Sequence, residues 1–179
     1  MNDMLKKVYT RLCFFTRYRD TPTNQKESIA EHQYFVALIS KILCDKYKLD
    51  AMTELRVLRM ALIHDIGESY SDDFTYEMKY SKGSENFRKS LELVEDNIMR
   101  EIDKDLGYKE LKVIYNDYKK RQNLESKIVK LADWYSVLLF CETELLRGEN
   151  KPIKKIYKNC ILRIKKLDGD IYAIVSKRI

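Results

Sequence analysis

Apolar residues recur at every third or fourth position along most of the chain, a spacing typical of amphipathic helices. Ser28 and Glu31 have the spacing of a capping box directly before one of these apolar runs, so we expect a helix to begin at Ile29. The first apolar stripe, which precedes a polar loop, consists of Leu5, Val8, Leu12 and Phe15. The pattern therefore predicts two helices in the N-terminal part of the chain.

Polar capping residues mark the later helices. Asp50, Ser84 and Asn123 each stand before an apolar-periodic segment, where a side-chain oxygen accepts hydrogen bonds from the unpaired amides of a first helical turn. In the helix after Asp50, the residues expected to face inward are Leu55, Leu58 and Leu62. The last periodic segment predicts a basic amphipathic helix over residues 151–168.

The scarcity of helix-breaking residues fits this helical pattern. The chain has only five glycines and two prolines in 179 residues, so it has few of the residues that usually form turns between strands. We therefore expect an all-α fold, a bundle of about seven helices, in a single domain spanning residues 1–179. Its core is expected over about residues 5–147, with the helix at 151–168 following it.

The composition narrows the classes of partner. A net charge of +6 indicates a solvated surface whose mild positive field suits a small anionic substrate. Basic and aromatic residues are not interleaved, so no stable nucleic-acid partner is expected. No apolar run approaches the ~18 residues of a membrane span, and no signal-peptide pattern is present, so we expect a cytoplasmic protein without a membrane partner. The four cysteines form no CxxC pair and are expected to be packed, reduced thiols.

The segment ALIHDIGESY, residues 61–70, places His64 beside Asp65 in a strongly apolar neighbourhood, near the expected C-terminal end of the helix that follows Asp50. Burying a carboxylate requires a positive group against it, either a lysine or arginine or a metal ion. The other histidine of the chain, His32, is expected in the first turn of an apolar helix, and Asp133 lies in the middle of another. Because the chain places both of its histidines in this set, the pattern favours a metal site.

The types of candidate ligand limit which metal ion the site would bind. Two imidazole nitrogens and two carboxylates, with water completing an octahedron, suit Mn²⁺, Fe²⁺, Co²⁺ or Ni²⁺ better than a closed structural zinc site, and Mg²⁺ is also compatible. We expect one divalent metal ion as the cofactor. Taken singly, each histidine could instead be a hydrogen-bonded core residue, and Asp133 a buried partner for Lys130 or Arg121.

Two further acidic residues follow the His-Asp pair. Glu68 shares a helix face with His64 and Asp65 if the helix continues, and Asp73 lies in the loop just beyond. Both are candidates for the acid or base that acts on a water near the metal. The alternatives are a surface glutamate that ends the helix and an ordinary turn residue.

Several segments resemble HD-domain metal-dependent phosphohydrolases, within them the 5'-deoxyribonucleotidase branch. The signature H…HD…D is present as His32, His64-Asp65 and Asp133, and an Arg-aromatic pair precedes it at Arg17-Tyr18. The similar segments are SIAEHQYFVALISKIL, ALIHDIGESYSDDFTYEMKY and ESKIVKLADWYSVLLFCETEL. The resemblance extends over about residues 5–147.

The resemblance implies a role for each matched residue. The four signature residues would bind one divalent metal, and Glu68 and Asp73 would be the catalytic acids or bases around the attacking water. Arg17 would clamp the phosphate, a task that suits its planar guanidinium. Tyr18 stands where the family usually has a tryptophan that crowds the sugar, which leaves the choice between deoxyribose and ribose open.

The resemblance also implies a substrate. We expect a 5'-nucleotidase that converts deoxyribonucleoside 5'-monophosphates to nucleoside and phosphate, as a homodimer. One alternative is an HD-domain phosphohydrolase for another small phosphate ester or for (p)ppGpp. The alternative from a different class is a helical module that binds metal without catalysis.

Overall fold

Helices dominate the computed structural model, which describes residues 2–71, 78, 81–108 and 110–176. The helices are α1 Asp3–Phe14, α2 Ile29–Lys46, α3 Ala51–Ala61, α4 Glu68–Ser71, α5 Glu85–Leu106, α6 Leu111–Lys120, α7 Leu124–Leu146 and α8 Lys151–Val175. Seven of these have at least ten residues, α4 is a single turn, and the described residues form no strand ladder. The predicted all-α bundle is confirmed.

The predicted caps form at three of the four helix starts. Ser28 and Glu31 make both hydrogen bonds of the capping box, and the side chains of Asp50 and Asn123 accept from first-turn amides. Ser84 precedes α5 as predicted but makes no side-chain cap, because its hydroxyl donates to a preceding backbone carbonyl at 2.8 Å. A short polar side chain at a helix start can bond either to a first-turn amide or to a nearby backbone carbonyl.

The central helices α2, α3 and α7 pack together, and α8 lies along α7. The prediction for the inner face of α3 was wrong for two of its three leucines, since only Leu58 is half-buried. Leu55 and Leu62 are 42% and 59% exposed, whereas the buried side chains of α3 are those of Val57, Met60 and Ala61. Both sets of residues recur at helical spacing, so the sequence pattern does not distinguish them. Which set is buried depends on which side of α3 packs against α2 and α7.

The chain leaves the helix before the His-Asp pair. α3 ends at Ala61, and the residues from there to α4 follow successive turns, with hydrogen bonds such as Ile66 N–H to Ile63 O at 3.1 Å. His64 and Asp65 therefore lie in a turn, not near the end of a helix as predicted. Glu68 begins the separate helix α4, so it does not continue the face of α3.

The C-terminal helix is longer than predicted and ends at Val175. Its buried residues include Cys160 and Ile164, which pack towards α7 and the central core. All four cysteines are free thiols, and three of them are buried, as expected. Among the described residues, no helix combines the length and the apolarity needed to span a membrane.

The loop between α1 and α2 is tied to the end of α7. The Glu144 side chain is fully buried and accepts hydrogen bonds from the backbone amides of Asn24 and Gln25, at 2.7 and 2.9 Å. At the base of the same loop, the Arg17 amide donates to the Glu27 carbonyl at 2.8 Å. Glu144 thus holds in place the loop that carries Arg17.

Replacing Glu144 by alanine is expected to lower the free energy of unfolding by about 3 kcal/mol, because the loop loses two backbone hydrogen bonds to a carboxylate, each worth about 1.5–3 kcal/mol. Chemical denaturation measures the loss. Glu142→Ala is the matched control, since Glu142 lies on the same helix but is exposed and makes one long contact, 3.4 Å from the Tyr157 hydroxyl. Equal stability of the two variants would contradict the anchoring role.

Candidate metal centre and cavity

His32 lies in the first turn of α2 with its side chain fully buried. Its Nε2 atom is 3.2 Å from Asp133 Oδ1 and 3.6 Å from Asp65 Oδ2. The other ring nitrogen, Nδ1, lies 3.2 Å from the Ser136 hydroxyl oxygen. α2 and α7 pack directly against each other, which is why residues of both helices meet at this ring.

His64 is oriented by its own turn. Its Nδ1–H donates to the Ala61 carbonyl at 2.7 Å, so the neutral ring carries its lone pair on Nε2. That Nε2 is 3.3 Å from Asp65 Oδ2. Within the described residues, the Nε2 atoms of His32 and His64 are buried and make no hydrogen bond of good geometry.

These residues fit a divalent metal. One ligand atom each from His32, His64 and Asp65 lies within 4.8 Å of the others, which brings three of the four predicted ligands into one group. Two buried nitrogens without hydrogen bonds and one carboxylate are a donor set for a divalent transition metal. This convergence brings together helix α2 and a turn that is distant from it in the sequence.

Asp133 joins the same cluster through one oxygen. Its Oδ1 faces His32, while its Oδ2 accepts a hydrogen bond from Lys130 Nζ at 2.5 Å. The sequence offered a metal ligand or a partner for Lys130 as alternatives for this aspartate. In the structure Asp133 is a partner for Lys130 through Oδ2, and its Oδ1 lies beside His32, where it could contact a metal ion.

The protonation states of His32, Asp65 and Asp133 suit ligation. Burial lowers the pKa of His32 to about 4, which keeps its ring neutral. Burial raises the pKa of Asp65 and of Asp133, but the neighbouring His64 and Lys130 respectively outweigh it and hold both pKa values below the ordinary range. Burial also lowers the pKa of His64, yet the adjacent Asp65 carboxylate raises it overall. The carboxylates therefore stay charged and favour a cation beside them.

A cavity of about 670 Å³ opens beside this cluster. It is lined by the predicted site residues Arg17, His64, Asp65, Glu68 and Asp133. The positively charged residues in its wall are Arg17, Arg88, Lys119, Arg121, Lys130 and Arg163. The same wall carries five carboxylates, so its charge is mixed, and the basic side chains are the groups that can donate hydrogen bonds to an anionic ligand.

Arg17 lies in the cavity wall with a buried guanidinium. Its Nη1 is 3.7 Å from Glu27 Oε2, and among the described residues Nε and Nη1 make no hydrogen bond. Burial works to lower the pKa of Arg17, but the surrounding Tyr18, Glu27 and Asp65 raise it, so the group stays charged. A charged fork with open donors is suited to a phosphate.

Tyr18 is placed behind Arg17 and is absent from the cavity lining described above. Its ring stacks on Phe140 with centroids 4.4 Å apart, and its backbone adopts a positive φ of 57°. The Arg17 guanidinium lies 5.5 Å from the Tyr18 ring centre. The expected contact of Tyr18 with a sugar stays a prediction. The position of its ring beside the Arg17 guanidinium indicates that Tyr18 helps to hold Arg17 in place.

Of the two predicted acid–base residues, Glu68 and Asp73, the structure describes only Glu68. Glu68 lines the cavity as the first residue of α4, half-buried and one turn after Asp65. Its amide donates to the Asp65 carbonyl at 3.0 Å, which fixes it beside the candidate metal ligand. Asp73 lies outside the described residues, so its role stays a prediction.

Sequence reasoning missed several residues of the cavity wall. Trp134 lies there with Lys130 Nζ at 4.8 Å and the Arg163 guanidinium at 4.4 Å from its ring. Tyr118 lines the cavity too, although its position in an apolar stripe indicated only core packing. The position of Trp134 directly after Asp133 could have indicated that Trp134 lies near the site. Arg163 could not be found in this way, because it lies on the distant helix α8.

Gly67 allows the turn of His64 and Asp65 to pack against α6. A Cβ added at Gly67 would lie 2.7 Å from the Tyr115 hydroxyl oxygen. Gly67→Ala is therefore expected to lower the free energy of unfolding by about 1–3 kcal/mol through overpacking, measured by denaturant titration. Gly169→Ala is the control, because no described residue outside the local backbone of α8 lies within 4 Å of its Cβ position. That control is expected to gain up to about 1 kcal/mol, and an equal gain at Gly67 would contradict the close approach.

The buried histidine–aspartate cluster and the cavity beside it lie among packed helices and the turns between them, which defines an all-helical fold with a candidate metal site. The chain belongs to the HD domain family, whose model matches residues 9–166.

Similar proteins of known sequence share part of the chain. The 5'-deoxynucleotidase HDDC2 of Dictyostelium discoideum is 28% identical over 118 residues, which cover 63% of this chain and 60% of that protein. The 5'-deoxynucleotidase YGK1 of Saccharomyces cerevisiae is 30% identical over 133 residues, covering 72% of this chain and 59% of that protein. The chain thus spans about 60% of the length of these two curated relatives.

A solved structure shares nearly the whole fold. The cyanophage S-2L HD phosphohydrolase DatZ, bound to dA and one catalytic Zn²⁺ ion, has a TM-score of 0.69 at 17% identity and covers 95% of both chains. At this level of identity the likeness establishes the helical fold.

Proposed function

We propose that this protein is a metal-dependent phosphohydrolase that releases phosphate from deoxyribonucleoside 5'-monophosphates. The convergence of His32, His64 and Asp65 beside a cavity lined by basic residues is the observation that carries the proposal. The relatives named 5'-deoxynucleotidases support the reaction and the substrate class. The dA and zinc bound by the phage phosphohydrolase are compatible with this choice.

The metal would be held by His32, His64, Asp65 and Asp133. We expect Mn²⁺, Co²⁺, Fe²⁺ or Ni²⁺ in preference to a structural zinc ion, with Mg²⁺ compatible. When bound, such an ion supplies Lewis-acid polarisation and a water of lowered pKa. His64 is pre-oriented for this role by its hydrogen bond to Ala61.

The remaining steps fall to side chains of the cavity. Arg17 binds the phosphoryl oxygens through the donors that its neighbours leave open. Hydrolysis of the monoester also requires proton removal from the attacking water and proton delivery to the leaving 5'-oxygen. Glu68, and with it Asp73, carry these two proton transfers. Lys130 holds the Asp133 carboxylate in position.

A substrate panel tests the proposal. Protein stripped of metal and reloaded with each divalent ion is assayed for phosphate release from paired deoxyribonucleoside and ribonucleoside 5'-monophosphates, with 3'-monophosphates and (p)ppGpp beside them. Release from 5'-deoxyribonucleotides is the expected result, and release from both sugars would keep the reaction but discard a selectivity for deoxyribose. Release only from another ester would replace the substrate, and no release with bound metal would favour a binding module. We also propose a homodimer, which light scattering measures.

A further inference from the structure

Tyr118 lies in the cavity wall near the C-terminal end of α6. Its side chain is 6% exposed, and its ring meets the His64 ring edge-on, with centroids 5.4 Å apart and an interplanar angle of 76°. Tyr118 and Tyr115 are both buried on the inner face of α6. The helix therefore delivers the Tyr118 ring against a predicted metal ligand.

The Tyr118 hydroxyl differs from those of the buried Tyr115 and Tyr47. The Tyr115 hydroxyl donates to Glu95 at 3.1 Å, and the Tyr47 hydroxyl donates to Asp168. In the part of the chain that the structure describes, the Tyr118 hydroxyl has no such bond, although Asp133 acts on it electrostatically. A hydroxyl of a cavity-lining residue that has no protein partner is open to a ligand that accepts its hydrogen bond.

A phosphoryl oxygen is the acceptor that fits this position. The phenol is neutral below its ordinary pKa of about 10, so it donates a proton without adding charge. Hydrogen bonds to charged acceptors are stronger than those between neutral groups. Arg17 in the same wall is the charged donor for such an anion.

We propose that the Tyr118 hydroxyl donates a hydrogen bond to a phosphoryl oxygen of the substrate, a role that rests on the proposed function of the site. Tyr118 is then a substrate-binding residue in addition to Arg17. Its ring also packs against His64, so the test must keep the ring and remove only the hydroxyl.

The test compares the wild-type protein, Tyr118→Phe and Tyr47→Phe, each loaded with Mn²⁺. Calorimetry measures the binding of inorganic phosphate, and the same samples are assayed for phosphate release from a deoxyribonucleoside 5'-monophosphate. Loss of one hydrogen bond to a charged group is expected to weaken phosphate binding by roughly tenfold to hundredfold in Tyr118→Phe. Its manganese content and melting temperature should match those of the wild type. Tyr47→Phe removes a buried hydroxyl away from the cavity and should bind phosphate normally.

The outcomes separate this inference from the proposed function. Phosphate binding that is equal in Tyr118→Phe and the wild type would overturn the role of the hydroxyl, as would a wild type that binds no phosphate. Weaker binding in Tyr118→Phe supports the role even if the wild type releases no phosphate from the nucleotide. That last result would remove the proposed substrate and leave the anion-binding role of Tyr118 in place.

Discussion

Replacing His64 by alanine is expected to remove bound metal and activity together. The side chain offers an unpaired Nε2 beside Asp65, and its loss leaves two carboxylates near His32 with one nitrogen fewer. Removal of outer-sphere partners alone weakens metal sites by about 10–100-fold, so loss of a ligand should exceed that. Activity should fall on the order of a thousandfold, since the metal supplies several kcal/mol to the transition state.

The measurement pairs metal content with turnover. Metal is quantified after dialysis against a fixed low concentration of free Mn²⁺, and phosphate release is assayed on the same sample. Leu62→Ala is the matched control, because Leu62 belongs to the same turn region but its side chain is 59% exposed. Full manganese occupancy in His64→Ala would remove His64 from the set of ligands.

Replacing Glu68 by glutamine is expected to separate metal binding from catalysis. Glu68 lines the cavity and is fixed at the start of α4, one turn beyond Asp65. Glutamine keeps the size and hydrogen-bonding reach but cannot exchange a proton at neutral pH. General acid–base catalysis contributes about 10²–10⁴-fold, so kcat should fall by that factor while the manganese content stays unchanged.

The control for Glu68→Gln is Glu110→Gln. Glu110 is exposed and pairs with Arg59 at 3.2 Å, so the same chemical change there touches no part of the cavity. Steady-state kinetics and metal analysis on both variants decide the assignment. A Glu68→Gln variant with wild-type kcat would assign the proton transfers to another residue.

Local sequence patterns were sufficient to predict most of the helices and to select candidate metal ligands. The capping box of Ser28 and Glu31 fixed the start of α2, and with it the position of His32 in the first turn. Polar residues in apolar helical segments identified His32 and Asp133, since buried polar groups need a partner. These inferences rest on interactions within a few residues of the chain.

The remaining features depend on contacts between distant elements. Whether His64 stands on a helix or in a turn is decided by where α3 stops, and Gly67 packs there against Tyr115 of α6. The position of Tyr18 behind Arg17 depends on stacking with Phe140 of α7. Periodicity within one helix cannot indicate which of its faces meets another helix, as the inner face of α3 illustrates.

A stepwise manganese titration of metal-stripped protein tests the central claim most directly. At each step, bound Mn²⁺ and the rate of phosphate release from a deoxyribonucleoside 5'-monophosphate are measured on the same sample. The site of His32, His64, Asp65 and Asp133 predicts activity that rises in proportion to bound metal and levels off at one ion per chain. Undiminished phosphate release from the metal-free protein would contradict the account.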